Sequence, residues 1–126
     1  MTRRLWLLAA ALNGLAAVAV GALTQHLWAG DPHRALLAEI AVRYGLPHAA
    51  ALIALVALPK PERGALLLAA AGSSLALGVT LFAMSLYALA AGAAPWLAAL
   101  TPLGGTLMIL GWLLLIVYAL IGRRGA

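Results

Sequence analysis

Residues 65–91 read ALLLAAAGSSLALGVTLFAMSLYALAA, an uninterrupted run without a charged side chain. As a helix this run is about 40 Å long, more than the roughly 30 Å hydrocarbon core of a bilayer, so it spans with room to tilt. Working outward, Pro59-Lys60-Pro61 stops whatever helix precedes it, because proline lacks a donor and disfavours helix at the residue before it. Upstream lie two more apolar runs of spanning length, Leu5 to Trp28 and Ile40 to Leu58, the second carrying Arg43 and His48. Downstream, Pro95-Trp96 opens a short interfacial approach, and Thr101-Pro102 reads as an N-cap with proline at the first helical position. Pro102 to Ile121 is then one membrane thickness. The sequence predicts an all-α fold: a bundle of four transmembrane helices at about 5–28, 40–58, 65–91 and 102–121, forming a single transmembrane domain over 1–126.

Composition agrees with those runs. Only 9% of the 126 residues are charged and 66% are apolar, whereas a soluble domain carries roughly a quarter charged residues. A small water-soluble domain has too much surface for its volume to hide that apolar excess. Lipid is therefore the solvent for much of the chain. The absence of cysteine excludes disulfides, thiolate metal sites and cysteine nucleophiles. The net charge of +5 does not point to nucleic acid, because the basic residues stand singly or in pairs at the flanks of apolar runs.

Those flanks also suggest an orientation. In a four-span arrangement Arg3, Arg4, Lys60, Arg63, Arg123 and Arg124 fall on one side and Arg34 on the other, with Arg43 just inside. Basic loops stay in the cytoplasm, so both termini are expected there. The start, Thr2-Arg3-Arg4-Leu5-Trp6-Leu7, also looks like a twin-arginine signal, with Val20-Gly21-Ala22 as a cleavage site. No soluble passenger follows it, and a retained first span is the expectation.

Four short motifs occur in a fixed order: Gly21-Ala22-Leu23-Thr24-Gln25-His26, Arg43-Tyr44-Gly45-Leu46-Pro47-His48-Ala49, Leu81-Phe82-Ala83-Met84-Ser85-Leu86-Tyr87, and Thr101-Pro102-Leu103-Gly104-Gly105 followed by Gly111-Trp112. In this the chain resembles the domain of unknown function 423 family of small four-helix bacterial membrane proteins, departing from its pattern at Gln25, Ala83 and Met84. The resemblance implies a multi-pass protein of the bacterial plasma (inner) membrane and brings no established activity.

Alternating helices bring these motifs to one depth, in the outer half of the bilayer, while the inner half is apolar apart from Asn13 and Ser73-Ser74. Ionisable groups at membrane depth are costly and usually face the bundle interior or a cavity. His26, Arg43, Tyr44, His48, Tyr87 and Thr101 are therefore expected to line one cavity open to the outer face. There Arg43 would hold an anionic group, a histidine would switch its proton, and the start of the fourth helix would add partial positive charge. Glu39 and Arg43, four apart in the favourable order, are expected to form a structural ion pair. Tyr44 and His48 lie on a different face of the same helix, since Arg43 to His48 is about 140° at 100° per residue.

Small-residue stripes at Gly14, Ala17 and Gly21 and at Ala70, Ser74 and Gly78 suggest close helix packing. His26, His33, His48, Asp31 and Glu39 have no compact ligand spacing, so neither a metal site nor any other cofactor is expected. Ser85, Tyr44, His48 and Glu39 specify no nucleophile–base pair, so an enzyme is not expected. Two readings remain. One is a protein that binds or passes a small polar or anionic ligand or a lipid headgroup; the other is a structural or accessory protein. The bilayer is the expected partner, with a homo-oligomer or larger membrane complex open to either.

Overall fold

The computed structural model describes residues 1–59, 61 and 63–122; Lys60, Arg123 and Arg124 of the charge pattern lie outside the described residues. The helices are α1 (Arg3–Leu27), α2 (Pro32–Ala57), α3 (Ala65–Ala90) and α4 (Leu100–Gly122), with a 3-10 turn at Pro95–Ala99 leading into α4. Each is long and apolar enough to cross a membrane. The spans match the apolar runs read from the sequence, with two corrections.

First, α2 begins at Pro32, not near Ile40. The Asp31 carboxylate accepts from the Arg34 backbone N–H at 3.1 Å and Pro32 occupies the first turn, so the cap and the proline start the helix inside the apparent connection. Second, Thr101 is not the N-cap of α4. The chain is already turning from Pro95, and the Thr101 hydroxyl lies 2.7 Å from Ser85 Oγ on α3. Ser85 gives its own proton to the Phe82 carbonyl, so Thr101 is the donor. A partner on another helix has displaced the local cap.

Helices α1, α2 and α3 pack on one another, and α4 packs on α3. The α1 stripe meets α2 as expected: Gly14 faces Ala49, Ala17 faces Gly45 and Gly21 faces Val42. Between α3 and α4 the backbones themselves touch. A Cβ on Gly104 would lie 2.5 Å from the Phe82 nitrogen and 2.7 Å from the Gly78 oxygen, and one on Gly78 would lie 2.7 Å from the Met108 nitrogen. Dispersion between close backbones replaces the hydrophobic drive that lipid cannot supply. Of the predicted α3 stripe only Gly78 takes part in these contacts. Further along the seam, Leu75 and the Ala71 oxygen lie against Gly111, in place of Ala70 and Ser74.

Polar links complete the bundle. The Arg3 guanidinium donates to the carbonyls of Val56, Leu58 and Pro59, satisfying groups that the end of α2 leaves orphaned. Trp6 reaches Ser73 Oγ at 3.4 Å, and fully buried Asn13 donates to Thr80 Oγ1 at 2.9 Å and to the Ala9 carbonyl at 2.8 Å.

Candidate functional site

Among the described residues, the predicted site residues divide between separate grooves and packing contacts. Arg43 and Glu39 line a surface groove of about 320 Å³ between α1 and α2, together with Gly21, Thr24 and Val42. Tyr44 and His48 line another, of about 300 Å³, with Phe82, Gly105, Met108, Ile109 and Trp112. Tyr87 packs against the buried cluster of Ala41, Ala83 and Leu86 between α2 and α3. Thr101 bonds Ser85 at the α3–α4 contact, and His26 is exposed in the last turn of α1. Shared depth does not imply a shared direction, because Arg43 and Tyr44 are neighbours about 100° apart around α2.

In the Tyr44–His48 groove the polar chemistry is already used. His48, only 8% exposed, has Nδ1 at 2.8 Å from the Tyr44 carbonyl, and its Nε2 lies 3.1 Å from Trp112 Nε1. An indole N–H only donates, so Nε2 must be an unprotonated acceptor and Nδ1 carries the proton. Both ring nitrogens of His48 are thus engaged by partners within the bundle. The Trp112 ring stands edge-on to the imidazole at 5.9 Å, and Tyr44 packs on Phe82 at 5.0 Å. Trp112 thus joins α4 to α2, a role its sequence position in an apolar run did not signal.

The Glu39–Arg43 groove is chemically different. The expected ion pair is not formed: among the described residues the salt bridge is Arg34–Asp31 at 3.3 Å. Both Glu39 and Arg43 are exposed on the surface of α2, where a long side chain gains little from holding to one partner. Buried Thr24 gives its proton to the Val20 carbonyl, leaving oxygen lone pairs as acceptors. Pro47 lies inside α2 and has no N–H, so the Arg43 carbonyl lacks its usual helical donor. The groove therefore offers one fixed cation beside a carboxylate. Arg34, outside the groove, reaches towards the α3–α4 connection, with its guanidinium 3.4 Å from where a Gly92 Cβ would stand. Among the described residues no three His, Asp or Glu side chains gather to hold a metal ion.

No solved structure matches the chain. Among curated proteins it is 32% identical to the UPF0382 membrane protein YwdK of Bacillus subtilis (strain 168), over 92% of this chain and 96% of that protein. It is 31% identical to the UPF0382 membrane protein SAB0533 of Staphylococcus aureus (strain bovine RF122 / ET3-1), over 90% and 93%. To the UPF0382 membrane protein SERP0230 of Staphylococcus epidermidis (strain ATCC 35984 and its synonyms) it is 32% identical, over 93% and 96%. The family model described as "Protein of unknown function (DUF423)" matches residues 20–105. With four membrane-spanning helices and these relatives along nearly its whole length, the chain belongs to the DUF423 family of membrane proteins.

Proposed function

We propose that this protein binds a lipid headgroup, or a small solute of the same chemistry, in the α1–α2 groove of Glu39 and Arg43. The observation that carries the proposal is that these opposite charges line one groove without pairing with each other. An arginine fork suits phosphate or carboxylate, and Glu39 suits an ammonium. A zwitterionic phosphoethanolamine-type group satisfies both. The groove is a surface feature between two helices, which favours binding over passage. Its orientation follows the basic flanks: both termini in the cytoplasm of a bacterial cell, the chain in the plasma membrane, and the groove towards the outer leaflet.

The test is lipid retention on protein released from bilayers of mixed phosphatidylethanolamine and phosphatidylglycerol, read by native mass spectrometry. Arg43→Ala and Glu39→Gln should each lower retention of the ethanolamine lipid about tenfold, the loss of one charge-assisted hydrogen bond. Arg34→Ala, outside the groove, should leave it unchanged. Equal retention by the parent and all three variants would refute the proposal.

A structural or accessory role has its own support. His48–Trp112 and Ser85–Thr101 commit their polar atoms within the bundle. Retention independent of Arg43 and Glu39 would favour that role.

A further inference from the structure

Tyrosine and tryptophan in membrane proteins ordinarily stand at the boundary, where the ring meets lipid and the polar tip meets water. Tyr44 and Trp112 stand elsewhere. Tyr44 is the thirteenth of the 26 residues of α2 and Trp112 the thirteenth of the 23 of α4, so about 15–20 Å of helix separates each from either end. That is at least half of a hydrocarbon core roughly 30 Å thick. The indole N–H is accounted for, since it donates to His48 Nε2 at 3.1 Å. The phenol is not. Tyr44 enters the hydrogen bonding through its backbone carbonyl, and its hydroxyl has no partner among the described residues. His48 cannot serve it, because both ring nitrogens are engaged. A lone hydroxyl at this depth is costly, and phospholipid headgroups and ester carbonyls lie too far out to relieve it.

The surroundings of Tyr44 suit a ring. Among the described residues α2 and α4 flank α3 without backbone contact, and the groove of about 300 Å³ between them has Phe82 of α3 in its wall. Tyr44 packs on Phe82 with ring centres 5.0 Å apart and planes at 56°, while Trp112 meets His48 edge-on. Such faces and edges favour a flat ring in offset or edge-on contact. Tyr44, Ile109 and Trp112 are 45%, 64% and 47% exposed, so the groove opens sideways and a ligand enters from the lipid. Its volume is at the lower end for small-molecule sites, which fits a ring and the start of its tail but no whole phospholipid. We propose that this groove binds the ring of a lipid-soluble quinone, whose carbonyl oxygen accepts from the Tyr44 hydroxyl. An alkyl chain offers that hydroxyl no acceptor. A carboxylate offers one but brings a charge, which is costly at the midplane. A ring carbonyl is neutral and only accepts. This groove is separate from that of Glu39 and Arg43, and the proposal does not depend on headgroup binding there.

The test uses the full chain in phosphatidylcholine nanodiscs, with decylubiquinone as the probe. Affinity is read from partition of the quinone between discs with and without protein. Location is read from the NMR ring signal of isotope-labelled Phe82, the chain's one phenylalanine. Saturable partition with a shift at Phe82 is expected. Dodecylbenzene, a ring and tail with no carbonyl, should show no preference for discs with protein. Tyr44→Phe keeps the ring that packs on Phe82 and should weaken quinone binding about threefold to tenfold, the loss of one neutral hydrogen bond. Equal affinity of the parent protein for dodecylbenzene gives the groove to any apolar chain and overturns the proposal, a comparison that needs no variant. Partition that does not saturate overturns it too, as does quinone binding that Tyr44→Phe leaves unchanged. A Phe82 signal that shifts when the protein alone is diluted in lipid assigns the groove to a second copy, with the same consequence.

Discussion

Adjacent glycines at the start of α4 provide a sharp test of how that helix is held. Alanine at Gly104 would place Cβ 2.5 Å from the Phe82 nitrogen and 2.7 Å from the Gly78 oxygen, both backbone atoms that cannot rotate away. Ordinary contact begins near 3.4 Å, so α4 must retreat from α3 by roughly 0.9 Å. A gap of that size forfeits about a quarter to a half of each dispersion contact along the seam. Overpacking of this kind costs about 1–3 kcal/mol, partly offset by a helix-propensity gain of up to about 1 kcal/mol. Alanine at Gly105 would meet only Phe82 Cδ2, at 3.9 Å, and so keeps the propensity gain without the clash. Gly104→Ala should therefore lie about 1–3 kcal/mol below Gly105→Ala in unfolding free energy. Titration from mild detergent into dodecyl sulfate, followed by circular dichroism, measures both. If Gly105→Ala loses as much as Gly104→Ala, close backbone contact is not what seats α4 against α3.

Two further expectations concern the bundle's links and its direction. A double-mutant cycle on His48→Ala and Trp112→Phe should return a coupling of about 0.5–1.5 kcal/mol, the range for a neutral hydrogen bond between membrane helices; a coupling near zero removes the α2–α4 bond. Reporters fused after Gly122 should be active in the cytoplasm and silent in the periplasm, whereas the opposite result reverses the orientation proposed from the basic flanks.

What the sequence made legible follows from what one dimension can encode. Apolar run length and the Pro59-Lys60-Pro61 stop locate the spans, because membrane thickness imposes them directly. The Gly14, Ala17 and Gly21 stripe meets α2 because small residues at helical spacing have few other uses in lipid. The site was harder. Depth along the membrane normal can be read from position in a span, but the direction of a side chain around its helix depends on which neighbour each face meets. Arg43 and Tyr44 share a depth and face different grooves for that reason. Arg3 with the end of α2, Asn13 with Thr80, and His48 with Trp112 are partners 53 to 67 residues apart, joined only once the helices cross as they do. Glu39 and Arg43 satisfied the spacing rule for an ion pair, yet both are exposed, and an exposed pair gains too little to hold two long side chains in one geometry.

The links made by Trp6 and Asn13 have a consequence for the vertical alignment of the bundle. Trp6 meets Ser73 and Asn13 meets Thr80, the same 67-residue separation twice, the two marks standing seven positions apart on each helix. Lipid tails are nearly indifferent to whether one leucine-rich cylinder slides past another, so apolar contact alone leaves sliding almost free. Two polar teeth on one pitch behave like a ratchet. A slip of α1 by one turn, about 5.4 Å, would break both bonds at once and leave the Asn13 amide only its own-helix bond to the Ala9 carbonyl. Arg3, clamped on the last carbonyls of α2, resists the same slip from below. The bundle therefore keeps its ends level, and with them the thickness of bilayer that it fits.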